Sequence, residues 1–256
     1  YGIRNKGGRF TAKNLTISTS TKAGGINNTV QDVTGRPGIF TVDNLVVENI
    51  RYNNVVCDGG TLTINNGQLE ASGTNNVKTT GGTLYLNDVD VKGNWEDTAG
   101  TNHAVYMTGG TIIAKNVHIR DAKVTGLRIN GETAVFTGSN VTISNATKYA
   151  IDQTIGLITI DGLKTEKNYY NITNNGGTIH LTNSYLGPTV SNNVRLYKGL
   201  ITLNNVVVDG HTPDHVDNVH ALFVSGGELT GANVTTQNTS NAGLRVNAGT
   251  ATLENL

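Results

Sequence analysis

The chain has 256 residues, with 19 Lys plus Arg against 19 Asp plus Glu, a formal charge of zero, 32 Gly and one Cys. Zero net charge gives nucleic-acid binding no electrostatic support, a single Cys excludes a disulfide within the chain, and no run of about eighteen apolar residues reads as a membrane helix. No low-complexity stretch or Pro-rich linker divides the sequence, so it reads as one continuous unit.

In chain order the elements repeat. A marker residue precedes the last apolar pair of each unit, at Asn14, Asn44, Asn66, Asp88, Asn116, Asn140, Gly162, Asn183, Asn205, Asn233 and Asn255, mostly about 22 residues apart. The longer steps mark inserted loops. The unit reads GGTLTINN from Gly59, GGTLYLNDVDV from Gly81, GGTIIAKNVHI from Gly109, GGTIHLTN from Gly176 and KGLITLNNVVV from Lys198. Within it the hydrophobic period is two, which predicts strands. A first strand is read at Ala104–Met107, Gly126–Ile129 and Ala221–Val224. A second follows the Gly pair, as at Thr83–Leu86 and Thr111–Ala114. A third follows the marker, as at Val117–Ile119 and Val206–Val208. Alternation points Leu84, Leu86, Val105 and Met107 inward and Tyr85 and Tyr106 outward. Cys57 takes an inward position and reads as core packing.

A unit this short cannot bury its own apolar face and must stack on copies of itself. The predicted fold is all-β: a right-handed parallel β-helix of about eleven roughly triangular rungs, each of about 22 residues. Gly and Asn suit its corners because both tolerate positive φ. Stacked Asn side chains can also hydrogen-bond along the axis. The sequons at Asn14, Asn140 and Asn233 lie in this column and read as its by-product. Both ends fall in mid-pattern, so residues 1–256 are expected to be one segment of a longer rod.

A longer repeat overlies the short one. GIFTVDNL from Gly38 matches GLITIDGL from Gly156, and GLRIN from Gly126 matches GLRVN from Gly243. Gly93 and His103 correspond to Gly210 and His220. Two five-rung modules are therefore expected, at approximately 2–125 and 126–242, with the start of a third. A catalytic centre is needed once, whereas repeating a module with its loop multiplies contacts, which favours avidity.

Register then gives the outward row of the first strand: Val56, Lys78, Tyr106, Arg128, Asp152, Thr173, Arg195, Phe223 and Arg245. Tyr106 beside Arg128 and Phe223 beside Arg245 are expected as neighbouring-rung cation–π pairs, suited to an anionic sugar or a protein anchor. The alternative reading is a cation–π pair that only orders the surface. Trp95, the only Trp, falls on an inserted loop and joins these four as a candidate contact. The sequence HTPDHVDNVH from His211 to His220 has divalent-metal ligand types, but the equivalent loop keeps only Asp97 and His103 of that set, so no metal, cofactor or catalytic residue is assigned.

The repeat resembles the passenger domains of bacterial autotransporters, type V secreted adhesins of the AIDA and pertactin kind. The resemblance covers essentially the whole chain and rests on rung length, the GGT-apolar-x-apolar-x-Asn-apolar pattern and low Cys content. It implies export, display on the bacterial cell surface, and adhesion to a host or bacterial surface glycan or protein, or self-association with another copy. Membrane attachment would come through a C-terminal β-barrel translocator that these residues do not include. Two other readings stay open. Glycan-cleaving enzymes also use this scaffold, but they need clustered carboxylates, and the first-strand face offers only Asp152 and the distant Asp58. A spacer needs no site at all.

Overall fold

The computed structural model describes residues 1–20, 24–30, 35–93, 103–210 and 219–256. The named strands pair in parallel, each rung onto the next, to form a parallel β-helix. The first-strand ladder runs Ile3–Ile26–Val55–Val77–Val105–Leu127–Ile151–Ile172–Val194–Leu222–Leu244, which is eleven rungs. The second runs Phe10–Phe40–Leu62–Leu84–Ile112–Phe136–Ile158–Ile179–Ile201–Leu229–Ala251. At ~4.8 Å per step, eleven rungs make a rod roughly 50 Å long.

The alternation places the core where the pattern predicts. Leu84, Leu86 and Met107 are fully buried, while Tyr85 and Tyr106 face outward. Inward rows from successive rungs merge into one apolar column along the rod, with Phe40 and Phe136 its largest side chains. Cys57 lies in this column, and burial pushes its thiol pKa up to about 12.

All eleven marker positions have positive φ, from Asn14 at 54° to Asn255 at 55°, with Gly162 at 75°. One left-handed residue advances the alternation by one position, so Leu86 and Val89 both point inward on either side of it. The hydrogen-bond ladder survives this bend. The second and third strands, expected as separate pieces, are therefore single elements such as Thr83–Lys92, and Thr125–Ser144 carries through all three. Outside the bend the Asn side chains stack. Asn44 donates to Asn14 and Asn66 to Asn44, both at 2.8 Å, and Asn205 donates to Asn183 at 2.7 Å. Asp88 accepts from Asn116 but has no N–H to pass on. Where Gly162 leaves a gap, Asn183 turns to Asp161.

The second corner is backbone on backbone. A Cβ at Gly199 (φ 88°) would lie 2.3 Å from the Gly177 carbonyl oxygen. The corner leading back to the first strand is held by buried Asn. Asn76 donates to the carbonyls of Leu69, Glu70 and Lys92, and Asn193 to those of Leu186, Gly187 and Asp209. The partners of the second residue are those of the first shifted by one long module.

Candidate functional site

Two of the exposed faces bring charged and aromatic or titratable side chains into contact across rungs. On the first-strand face the outward row stands in the expected register, Lys78–Tyr106–Arg128–Asp152–Thr173–Arg195–Phe223–Arg245. Phe223 and Arg245 form the expected pair, with the guanidinium carbon 5.9 Å from the ring centroid. Tyr106 and Arg128 do not. Arg128 turns instead to the next rung, where it ion-pairs with Asp152 and donates to Thr154 at 3.0 Å. A buried carboxylate attracts a guanidinium more strongly than a ring face does, and Asp152 is only 5% exposed. Tyr106 stacks against His103 within its own rung, at 5.4 Å.

His103 and His220 are recurring members that the pairwise reading left out. Each lies three residues before the aromatic it touches, Tyr106 and Phe223 respectively, the latter at 6.0 Å. Each backbone N–H donates to the side chain of an Asn on the preceding rung, Asn75 or Asn192. Burial, then the nearby Arg128, lowers the pKa of His103 from 6.5 to about 4. Burial and Arg245 lower that of His220 as well. Both rings are thus neutral near pH 7. A guanidinium only donates, so Arg245 Nη1, 3.2 Å from His220 Nε2, makes that nitrogen the acceptor and places the ring proton on Nδ1.

Between the two His stations runs a continuous series of ring and guanidinium contacts. Lys148 caps Tyr149 at 5.1 Å, and Tyr149 stacks on Tyr170 at 5.4 Å. Arg195 sits over Tyr170 at 4.3 Å and over Tyr197 at 4.9 Å. Tyr197 meets Phe223 edge-on at 6.4 Å, and Arg245 ends the series. A groove of about 420 Å³ opens at its start, lined by His103, Tyr106, Arg128, Lys148, Tyr149 and Asp152. Trp95 and residues 211–218 of the His- and Asp-rich loop lie outside the described residues. Among the described residues no cluster of three metal-ligating side chains occurs.

The third-strand face presents Asp90, His118 and Thr142 outward in register, as the alternation requires. It also brings together a serine, a histidine and a carboxylate. His118 Nε2 lies 2.9 Å from Ser144 Oγ, and His118 Nδ1 lies 3.4 Å from Asp90. The order is that of a nucleophile, a base and an orienting group. The surroundings do not serve acyl transfer. Arg120 takes both oxygens of Asp90 at 2.7–3.0 Å. Ser144 is 6% exposed, and the next backbone N–H, of Asn145, is spent on the Glu166 carbonyl rather than aimed at a developing oxyanion.

No protein-family model matches the chain, and no curated protein matches it. Among solved structures, the crystal structure of a TibC-catalysed hyper-glycosylated TibA fragment aligns over 95% of this chain and 99% of the other, at 11% identity and a TM-score of 0.19. A likeness at that score carries no argument, and the fold assignment rests on the strand ladder itself.

Proposed function

We propose that this chain is a non-catalytic rod displayed on a bacterial cell surface, an adhesin of the autotransporter passenger kind, which contacts its partner through the first-strand face. One observation carries the reading: aromatic rings and cations run along that single face over successive rungs, in contact with one another. A row of this form multiplies weak contacts along an extended partner. The partner is a surface glycan or protein, or another copy of the rod.

The test is display of the rod on cells through an outer-membrane export domain, with attachment and aggregation counted. Arg245→Ala and Phe223→Ala together are expected to reduce attachment severalfold, and Lys164→Ala on the third-strand face to leave it unchanged. Equal attachment by all variants overturns the reading.

A further inference from the structure

The first-strand face carries positive charge that no carboxylate among the described residues neutralises. Every ion pair among the described residues involves other cations: Lys92 with Glu70, His118 and Arg120 with Asp90, Arg120 with Asp121, Arg128 with Asp152, and Lys164 with Glu166. Lys148, Arg195 and Arg245 have no carboxylate among the described residues. They share one face, on the seventh, ninth and eleventh rungs. Four rung steps at ~4.8 Å separate the ends of this track by ~19 Å. The chain as a whole is neutral, so the imbalance is a matter of placement.

Along the track Tyr149 stacks on Tyr170, Arg195 lies over Tyr170 and Tyr197, and Tyr197 meets Phe223 edge-on. Tyr170 has Tyr149 on the rung before it and Arg195 on the rung after. The track therefore offers ring edges, phenol hydroxyls and guanidinium N–H groups rather than open ring faces. A base-stacking ligand finds no platform there. A polyhydroxylated chain bearing anionic groups finds hydrogen-bond partners and countercharge at each step.

Building on the reading of this face as the contact surface, we propose that it binds a linear acidic polysaccharide lying parallel to the rod axis, with Arg195 receiving a carboxylate or sulfate at the centre of the track and Lys148 and Arg245 receiving those to either side. Arg195 is suited to the central place because its guanidinium lies against the rings of both Tyr170 and Tyr197 and donates from Nη2 to the Tyr197 hydroxyl, so little conformational freedom is lost on binding.

The experiment is calorimetric titration of the purified chain with heparin, with polygalacturonate and with neutral dextran. Binding of at least one acidic polymer and not of dextran is expected. Heparin alone assigns the anionic group as sulfate, polygalacturonate alone as carboxylate, and both as charge without that distinction. Arg195→Ala is expected to weaken acidic-polymer binding about tenfold, Arg195→Lys to keep part of it, and Lys164→Ala to change nothing, with circular dichroism checking that each variant is folded. Binding by neither acidic polymer, equal binding of dextran, or an unchanged affinity in Arg195→Ala overturns the proposal. If Arg195→Ala abolishes cell attachment while neither polymer binds the wild type, the face is a contact surface for a protein and only the polysaccharide assignment falls. If the polymer binds as expected but attachment is insensitive to Arg195→Ala, the assignment stands and the adhesin reading falls.

Discussion

The third-strand and first-strand faces are built from the same rungs but treat charge in opposite ways. On the third-strand face Arg120 grips Asp90 at 2.7 Å and Asp121 at 2.8 Å, Lys92 meets Glu70 at 3.4 Å, and Lys164 pairs with Glu166 two residues on. On the first-strand face only Arg128 finds a carboxylate among the described residues, while Arg195 and Arg245 rest on aromatic rings. Stacking places like positions above one another, so a rung sequence decides whether a column neutralises itself or leaves charge for a partner. A self-neutralised face gains modest stability and offers little to a ligand. A face of planar cations held on rings keeps its charge for a partner, together with the N–H groups not given to Tyr197, Asn247 and His220.

This comparison can be broken at the corner that joins the faces. Asn193→Ala removes a side-chain donor from the Leu186 and Asp209 carbonyls, while that of Gly187 keeps Asn171 Nδ2 at 2.7 Å, and is expected to destabilise the rod by about 2 kcal/mol, with both faces lost together in thermal or denaturant unfolding. Separate melting of the two faces would mean that they do not share one scaffold.

A second expectation concerns pH and only the first-strand face. The unfolded His103 takes up a proton near 6.5 and the folded one near 4. Between these values the unfolded state binds more protons, so stability is complete above about 6.5, falls as pH is lowered, and levels off below about 4. The loss is on the order of 3 kcal/mol for a shift from 6.5 to about 4 at ~1.4 kcal/mol per unit, read from unfolding midpoints across that range. His103→Gln is expected to make this limb shallower, leaving the part that the lowered pKa of His220 contributes.

Smaller effects separate the faces further. Arg195→Ala is expected to cost about 1.4 kcal/mol of binding, a tenfold loss, with stability changed by less than about 1 kcal/mol. Asp90→Ala is expected to do the reverse. It leaves ligand binding unchanged and lowers stability by about 1 kcal/mol, because Arg120 and its partner are both partly exposed.

The period-two alternation and the fixed rung length made the inward rows, the marker corners and the outward row of the first strand legible in the sequence. They failed where contacts cross between columns. Tyr170 and Tyr197 meet Arg195 from positions three before and two after the outward row, on neighbouring or the same rungs, and register along one column does not reveal that. Tyr106 and Arg128 are adjacent in the row as expected, but the next residue in it, Asp152, takes the guanidinium. Asn76 and Asn193 were not distinguished from the exposed Asn, because the sequence shows the residue type and not which carbonyls a strand end leaves without donors.

The most direct measurement of the contrast between the faces is hydroxyl-radical footprinting of the intact chain with and without the acidic polysaccharide that binds it best. The expected result is protection of Tyr149, Tyr170, Tyr197 and Phe223, with Tyr185 on the third-strand face, where its hydroxyl donates to Asp209, reacting as before. Protection centred on Tyr185, or spread evenly over both faces, would contradict the assignment of the first-strand face as the binding surface.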